Sequence, residues 1–184
     1  MSLKYAALGY LSWRPQTAYE LKNLLADAEF LYWSRNNNQI YSALVELHAE
    51  KLVSKTAVEP GKPVYAITDA GREALKSWVL TPPEPPVSKN PFLVQLMWAD
   101  CADPAALDAL LDQYLNQVGE KLFMLRVQLT ENPDTPARSE REAYLWEMIG
   151  KNWVAHYELE LRWIRTLRQD LADMEAQRQR RAAR

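Results

Sequence analysis

Apolar residues recur three or four positions apart along most of this chain, and two apart in one short stretch. That pattern predicts a mainly helical protein with one small patch of strand. Leu3, Ala6, Ala7, Tyr10 and Leu11 form the first stripe and predict a helix over 3–11, which Trp13-Arg14-Pro15 interrupts. Thr17, with Glu20 three residues on, has the form of a capping box. It opens a second helix that Tyr19, Leu21, Leu24 and Leu25 carry to about Asp27. Residues 28–33 read as an aromatic connector. Ser34 or Asn36 can cap a third helix, whose apolar back is Ile40, Leu44, Leu47 and Leu52.

After Leu52 the period changes to two. Val53, Lys55, Ala57 and Glu59 alternate with Ser54, Thr56 and Val58, as in a strand. Pro60-Gly61-Lys62-Pro63 supplies turn chemistry with a basic tip, and Val64-Tyr65-Ala66-Ile67 reads as the returning strand of a hairpin. Thr68-Asp69 caps a fourth helix over 70–80, with Leu75, Trp78 and Val79 on its apolar side. Three helices, a hairpin with a basic tip and a further helix, in this order, predict a winged helix-turn-helix over residues 1–81.

Residues 82–90 contain a proline-rich run, Pro82-Pro83-Glu84-Pro85-Pro86, which is stiff and extended and marks a domain boundary. Residues 91–184 read as helical. A short segment over 91–99 presents Phe92, Leu93, Leu96, Met97 and Trp98. Asp103-Pro104 places Asp at the N-cap and Pro at the first position of a long helix. Its stripe is Leu107, Leu111, Tyr114, Val118, Leu122, Leu125 and Leu129. After a break at 132–136, the longest helix is expected from Ser139 to about Met174, with Trp146, Ile149, Trp153, His156, Trp163, Leu167, Leu171 and Met174 along it. Two near-heptad stripes predict an antiparallel helical hairpin, and their breadth calls for a second copy of the chain to cover them. Gln177 to Arg184 reads as a frayed basic tail.

Composition narrows the function classes. The chain has 184 residues, 48% hydrophobic and 25% charged, with a net charge of −2. Residues 1–81 hold nine Lys/Arg and eight Asp/Glu (9 − 8 = +1), against thirteen and sixteen in the remainder (13 − 16 = −3). Binding to a nucleic acid would rest on where the cations sit and on doubling by dimerisation, not on global charge. One cysteine, Cys101, excludes an intrachain disulfide and fits a cytoplasmic protein. No apolar run is long enough for a membrane span, no convincing signal peptide opens the chain, and five glycines leave no phosphate-cradling loop. His48 and His156 lack metal-ligand neighbours, and no nucleophile stands beside a base. Neither enzymatic activity, a cofactor nor a metal is expected.

The third helix carries the candidate chemistry. Ser34, Arg35, Asn36, Asn37, Asn38 and Gln39 lie at or before its N-terminus, where free backbone N–H groups and the helix dipole favour a phosphate. Amide side chains there can pair with base edges in the major groove. Tyr41 and Ser42 follow on its exposed side; Thr17 and Tyr19 start the preceding helix; Lys55 and Lys62 are point charges on the hairpin. Together these twelve residues are the expected contacts to double-stranded DNA. The seven tryptophans suggest a slot for a small planar aromatic effector. Phe92 and Trp98 would form it near the dimer centre, or Trp13, Trp33, Trp153 and His156 between domains.

Gln39-Ile40-Tyr41-Ser42-Ala43-Leu44, followed by Leu47 and Leu52, resembles the recognition helix of the PadR family of transcriptional regulators, an Ile-Tyr-Pro-x-Leu core and a later Leu. The run from Pro60 to Gly71 resembles the family's wing, a Gly/basic/Pro tip leading into Tyr-x-Leu-Thr-x-x-Gly, and Thr17-Ala18-Tyr19-Glu20-Leu21 resembles its second helix. Ser42 stands where the family usually has Pro, Gln39 where it has a small residue, and Lys51 where it has the Gly of the helix-end turn. The first two shift the expected base or phosphate contacts. The resemblance implies a homodimeric winged-helix repressor whose C-terminal helices exchange between subunits and whose DNA binding a small molecule relieves. A different class of reading is a winged-helix protein-interaction module without specific DNA binding.

Overall fold

The computed structural model describes residues 3–27, 37–59, 62–83, 90–131 and 138–182. The chain divides into two compact units, Met1–Pro85 and Pro86–Arg184.

The first unit runs α1 (Leu3–Leu11), β1 (Gln16–Thr17), α2 (Ala18–Asp27), α3 (Asn37–Ala49), β2 (Val53–Glu59), β3 (Lys62–Ile67) and α4 (Asp69–Val79). The strands form one antiparallel sheet in the order β1-β3-β2. β2 and β3 are the hairpin expected from the alternation. β1 is new: a two-residue strand shows no period, so only tertiary pairing reveals it. The hairpin carries a register shift between Ala57 and Glu59, beside the point where Ala57 faces Pro63. Proline donates no ladder hydrogen bond and is tolerated at such irregularities.

Ala7, Leu8, Leu11, Leu21, Leu25, Ile40, Leu44, Leu47, Val53 and Tyr65 make a single buried core. Three helices and the hairpin therefore share one apolar centre, and α3 is held by its back. Ile40, Leu44 and Leu47 lie inward as the periodicity predicts, at 4%, 0% and 0% exposure. Of the apolar side expected for α4, Leu75 packs on the core and Trp78 stacks flat on Tyr5, with ring centroids 4.9 Å apart. Val79 is instead 65% exposed, because the last turn of α4 runs past the core.

The second unit holds α5 (Pro91–Met97), a short 3-10 turn (Ala99–Cys101), α6 (Pro104–Glu131) and α7 (Glu140–Ala182). Each start is capped as its sequence demands. The Asn90 side chain accepts from Phe92 N at 3.0 Å, Asp103 from Ala105 N and Ala106 N at 3.1 and 3.3 Å, and Ser139 from Glu142 N at 3.1 Å. α6 and α7 pack antiparallel. Leu129 lies against Gly150, Val118 and Leu122 cluster with Leu161 and Ile164, and Arg168 pairs with both Asp108 and Asp112. At Gly150 an added Cβ would meet Leu129 Cδ2 at 2.9 Å, so the helices touch where a side chain is missing.

The seam on α7 is displaced from the expected stripe. Gly150, Val154, Tyr157, Leu161 and Ile164 face α6, whereas Ile149, Trp163 and Met174 are 37%, 37% and 58% exposed. α7 carries two adjacent apolar stripes, and periodicity selects the bulkier one; packing against α6 uses the leaner one. α7 also continues past Met174 to Ala182, beyond the end of its apolar stripe, on Ala, Glu, Gln and Arg, all good helix formers. Because Arg168 pairs within the first turns of α6, the last two turns or so of α7 run past the start of α6.

Candidate nucleic-acid interface

α3 is an amphipathic rod whose outward face is set by its buried one. At about 100° per residue, the direction opposite Ile40, Ala43, Leu44 and Leu47 is nearest to Ser42, Val45 and Ala49, and Tyr41 lies at its edge. All four are exposed, Tyr41 at 54% and Val45 at 67%. Gln39 is exposed on the flank at the helix start. The same flank, a turn or two on, carries Glu46 and Glu50. Lys4 Nζ, reaching across from α1, lies 3.0 Å from Glu46 and 2.6 Å from Glu50, and these carboxylates raise its pKa. On the opposite flank, His48 Nδ1 lies 3.3 Å from the Val53 carbonyl.

The C-terminal end of α3 is fastened to the hairpin. Leu52 N donates to Leu47 O at 2.9 Å and Lys51 N to His48 O at 3.0 Å, the paired bonds of a Schellman turn. Lys51 occupies the left-handed position with φ 62°, and is the sole non-glycine residue with positive φ among the described residues. The Thr68 hydroxyl then sits 2.8 Å from Lys51 O and 3.0 Å from Leu52 O, while accepting from Gly71 N at 3.1 Å. Thr68 thereby caps α4 and ties the end of β3 to the end of α3. Gly71 is needed there, since a Cβ would lie 2.2 Å from Leu52 O.

Of the other sequence-predicted contacts, Thr17 has its hydroxyl engaged. Oγ1 lies 2.8 Å from Glu20 Oε2 and accepts from Glu20 N at 3.2 Å, and Thr17 N donates to the same carboxylate at 2.7 Å. The expected capping box is present, and its hydrogen bonds lower the Glu20 pKa below the usual carboxylate value. Tyr19 beside it is 65% exposed. Lys55 and Lys62 are exposed on the hairpin, and Lys55 Nζ rests 5.9 Å above the Tyr65 ring. Gln16, Tyr65 and Lys55 stand in one row across the three strands. Ser34, Arg35 and Asn36 lie outside the described residues; Asn37 and Asn38 open α3. Val45 and Lys4 are absent from the residues singled out in the sequence. The angular position of Val45 opposite the core was a usable signal for it. Nothing local pointed to Lys4, whose partners are more than forty residues away.

The six residues expected around an aromatic effector have separate surroundings. Trp13 belongs to the first unit, edge-on to Tyr10 at 5.1 Å. Trp33 is outside the described residues. Phe92 is buried in the second unit, stacked on Tyr114 at 3.8 Å and edge-on to Trp163 at 6.4 Å. Trp98 is 70% exposed, and Trp153 stands edge-on to His156 at 5.8 Å. Tyr114 OH also donates to Glu160 at 2.9 Å, with Asn90 Nδ2 3.0 Å from the same hydroxyl, so the start of α5 is pinned to α6 and α7. An open cleft of about 490 Å³, lined by Leu115, Gly119, Phe123, Leu161 and Arg165 among others, contains none of the six. No cluster of His, Cys, Asp or Glu suited to a metal ion, and no helix long and apolar enough to cross a membrane, occurs among the described residues.

Comparison with known proteins places both units. Residues 7–77 match the transcriptional regulator PadR-like family, and residues 88–172 match the family described as virulence activator alpha C-term. The negative transcriptional regulator PadR of Bacillus subtilis is 26% identical over 129 residues, 67% of this chain and 71% of that protein. The crystal structure of Bacillus subtilis PadR with operator DNA superimposes with a TM-score of 0.80 at 20% identity, over 93% of this chain and 99% of the other. Its complex with p-coumaric acid gives 0.78 at 20%, over 94% and 99%.

Proposed function

From its membership of the PadR-like family of transcriptional regulators, we propose that this winged-helix, DNA-binding protein is a repressor. It acts in the cytoplasm as a homodimer on a pseudo-palindromic operator. The observation that carries this reading is the exposed face of α3, clamped at its end to a hairpin that bears Lys55 and Lys62. Helix N-terminus and outward face enter the major groove, and the hairpin lysines meet phosphate. A repressor role is supported by the negative regulator of Bacillus subtilis to which the chain is similar.

The homodimer is supported by apolar surface that the second unit leaves uncovered. Leu93, Val94, Met97 and Trp98 on and after α5, Phe123 and Met124 on α6, and Tyr144, Leu145, Met148 and Ile149 on α7 are each 37–72% exposed. A second copy covers such a face and sets two copies of α3 about one DNA turn apart. A small aromatic effector is supported by the exposed Trp98 indole and by the p-coumaric acid complex of Bacillus subtilis PadR. An electrophoretic shift with the DNA upstream of the protein's own gene tests the reading. A sequence-selective complex that weakens with salt and with planar phenolic acids is expected. Absence of any complex at low salt rejects it in favour of a protein-interaction module.

A further inference from the structure

The outward face of α3 has Ser42, Val45 and Ala49 nearest its midline and Tyr41 at one edge: two hydroxyls and two small apolar side chains. A lone exposed valine usually carries no message, and on an exposed helix a β-branched residue is a poorer choice than Lys, Glu or Ala. Position changes the weight of this one. Val45 is 67% exposed, Ile40 and Leu44 hold the opposite side of the helix in the core, and the charged Glu46 and Glu50 are drawn to the flank by Lys4. The apolar patch is thus left at the crest of the helix, with the nearest charges turned aside.

In a major groove, an aliphatic side chain in that place can pair with only one feature. Valine has neither donor nor acceptor. Set against the N7 and O6 acceptors of guanine, the N4 donor of cytosine or the adenine edge, it strips water and returns no hydrogen bond. The C5 methyl of thymine is the one apolar group on a base edge, and burying methyl against methyl gains what the polar edges lose. We propose that Val45 is a specificity-determining residue that selects thymine through its C5 methyl, with Ala49 one turn on leaving room for the base edge to approach. This rests on the DNA-binding reading of α3.

Uracil in DNA tests it, because it keeps every hydrogen-bonding group of thymine and lacks the methyl. Duplexes are enriched from a random pool with the full-length protein, and each thymine is replaced by deoxyuridine in turn. At one or two positions per half-site the wild-type Kd should rise about three- to five-fold, the scale of one buried methyl. Val45→Ala, on an exposed helix surface, should keep or slightly raise its Tm and retain the effects at other positions but lose that penalty. Val45→Gln should shift the preferred base there from thymine to adenine, which an amide reads through N6 and N7. Selective binding without any thymine-to-uracil penalty, or with equal penalties in wild type and Val45→Ala, overturns the role of Val45 and leaves the DNA-binding reading intact. Failure to enrich or bind any duplex at low salt overturns both.

Discussion

The Thr68 hydroxyl lies 2.8 Å from the Lys51 carbonyl, so the last turn of α3 and the first turn of α4 share one side chain. Lys51 stands in the Schellman turn at φ 62°, a conformation that favours glycine by about 1 kcal/mol over a residue with a Cβ. Lys51→Gly should stabilise the protein by up to about 1 kcal/mol, offset in part by the freer unfolded chain. Chemical denaturation read by circular dichroism measures it. A midpoint that falls would mean that the lysine side chain contributes packing there that outweighs the strain.

Lys4 neutralises two carboxylates on the helix proposed to enter DNA. Lys4→Met should weaken DNA binding several-fold at low salt and less at high salt, since uncompensated Glu46 and Glu50 would repel phosphate through solvent. Adding Glu46→Gln and Glu50→Gln should restore affinity. Fluorescence anisotropy titrations at two salt concentrations check this; a loss that the double replacement fails to restore would point to altered packing of α1 instead of charge.

The capping box gives a pH dependence with a defined sign. Glu20 has its pKa lowered by the bonds from Thr17, so its contribution to stability is present above the ordinary carboxylate value of 4.5 and is lost as pH falls through the lowered folded value. Wild type and Glu20→Gln should therefore differ in Tm at neutral pH and converge in acid, below pH 4.5. Thr17→Ala, which removes the cap, should cost about 1 kcal/mol at pH 7. Thermal unfolding across that range reads both.

Ile149 lies on the uncovered stripe of α7, 37% exposed, one residue before the close contact of Gly150 with α6. Ile149→Glu should leave the helical hairpin folded and split the proposed dimer. Light scattering after size exclusion should give a mass near one chain, 21.3 kDa, and operator affinity should fall about 100-fold or more as the paired half-sites are lost. A variant that stays dimeric with full affinity would move the subunit contact to another face.

Periodicity and end signals were enough to read most helices to within a residue or two. α1, the capping box and the start of α6 follow from stripes, from Thr17 with Glu20, and from Asp103-Pro104. What escaped depends on partners distant in sequence. β1 exists only because β3 accepts it. The α6-facing seam of α7 is the leaner of two stripes, and only contact with Leu129, Val118 and Leu122 distinguishes them. In the candidate site, Tyr41 and Ser42 are exposed where their spacing places them and Glu20 captures the Thr17 hydroxyl as the capping box predicts, but the reach of Lys4 to Glu50 is a fact of tertiary geometry.

The two turns of α7 that run past α6 carry arginines at 178, 180 and 181 and end at Ala182. Helix ends of this kind open at almost no cost in free energy, whereas the turns around Leu161 and Ile164 open only when the hairpin comes apart. A single rod thus holds backbone amides whose hydrogens exchange with solvent on widely separated clocks. Read along its length, that gradient is an internal thermometer of assembly: whatever docks on the end slows its fastest protons first.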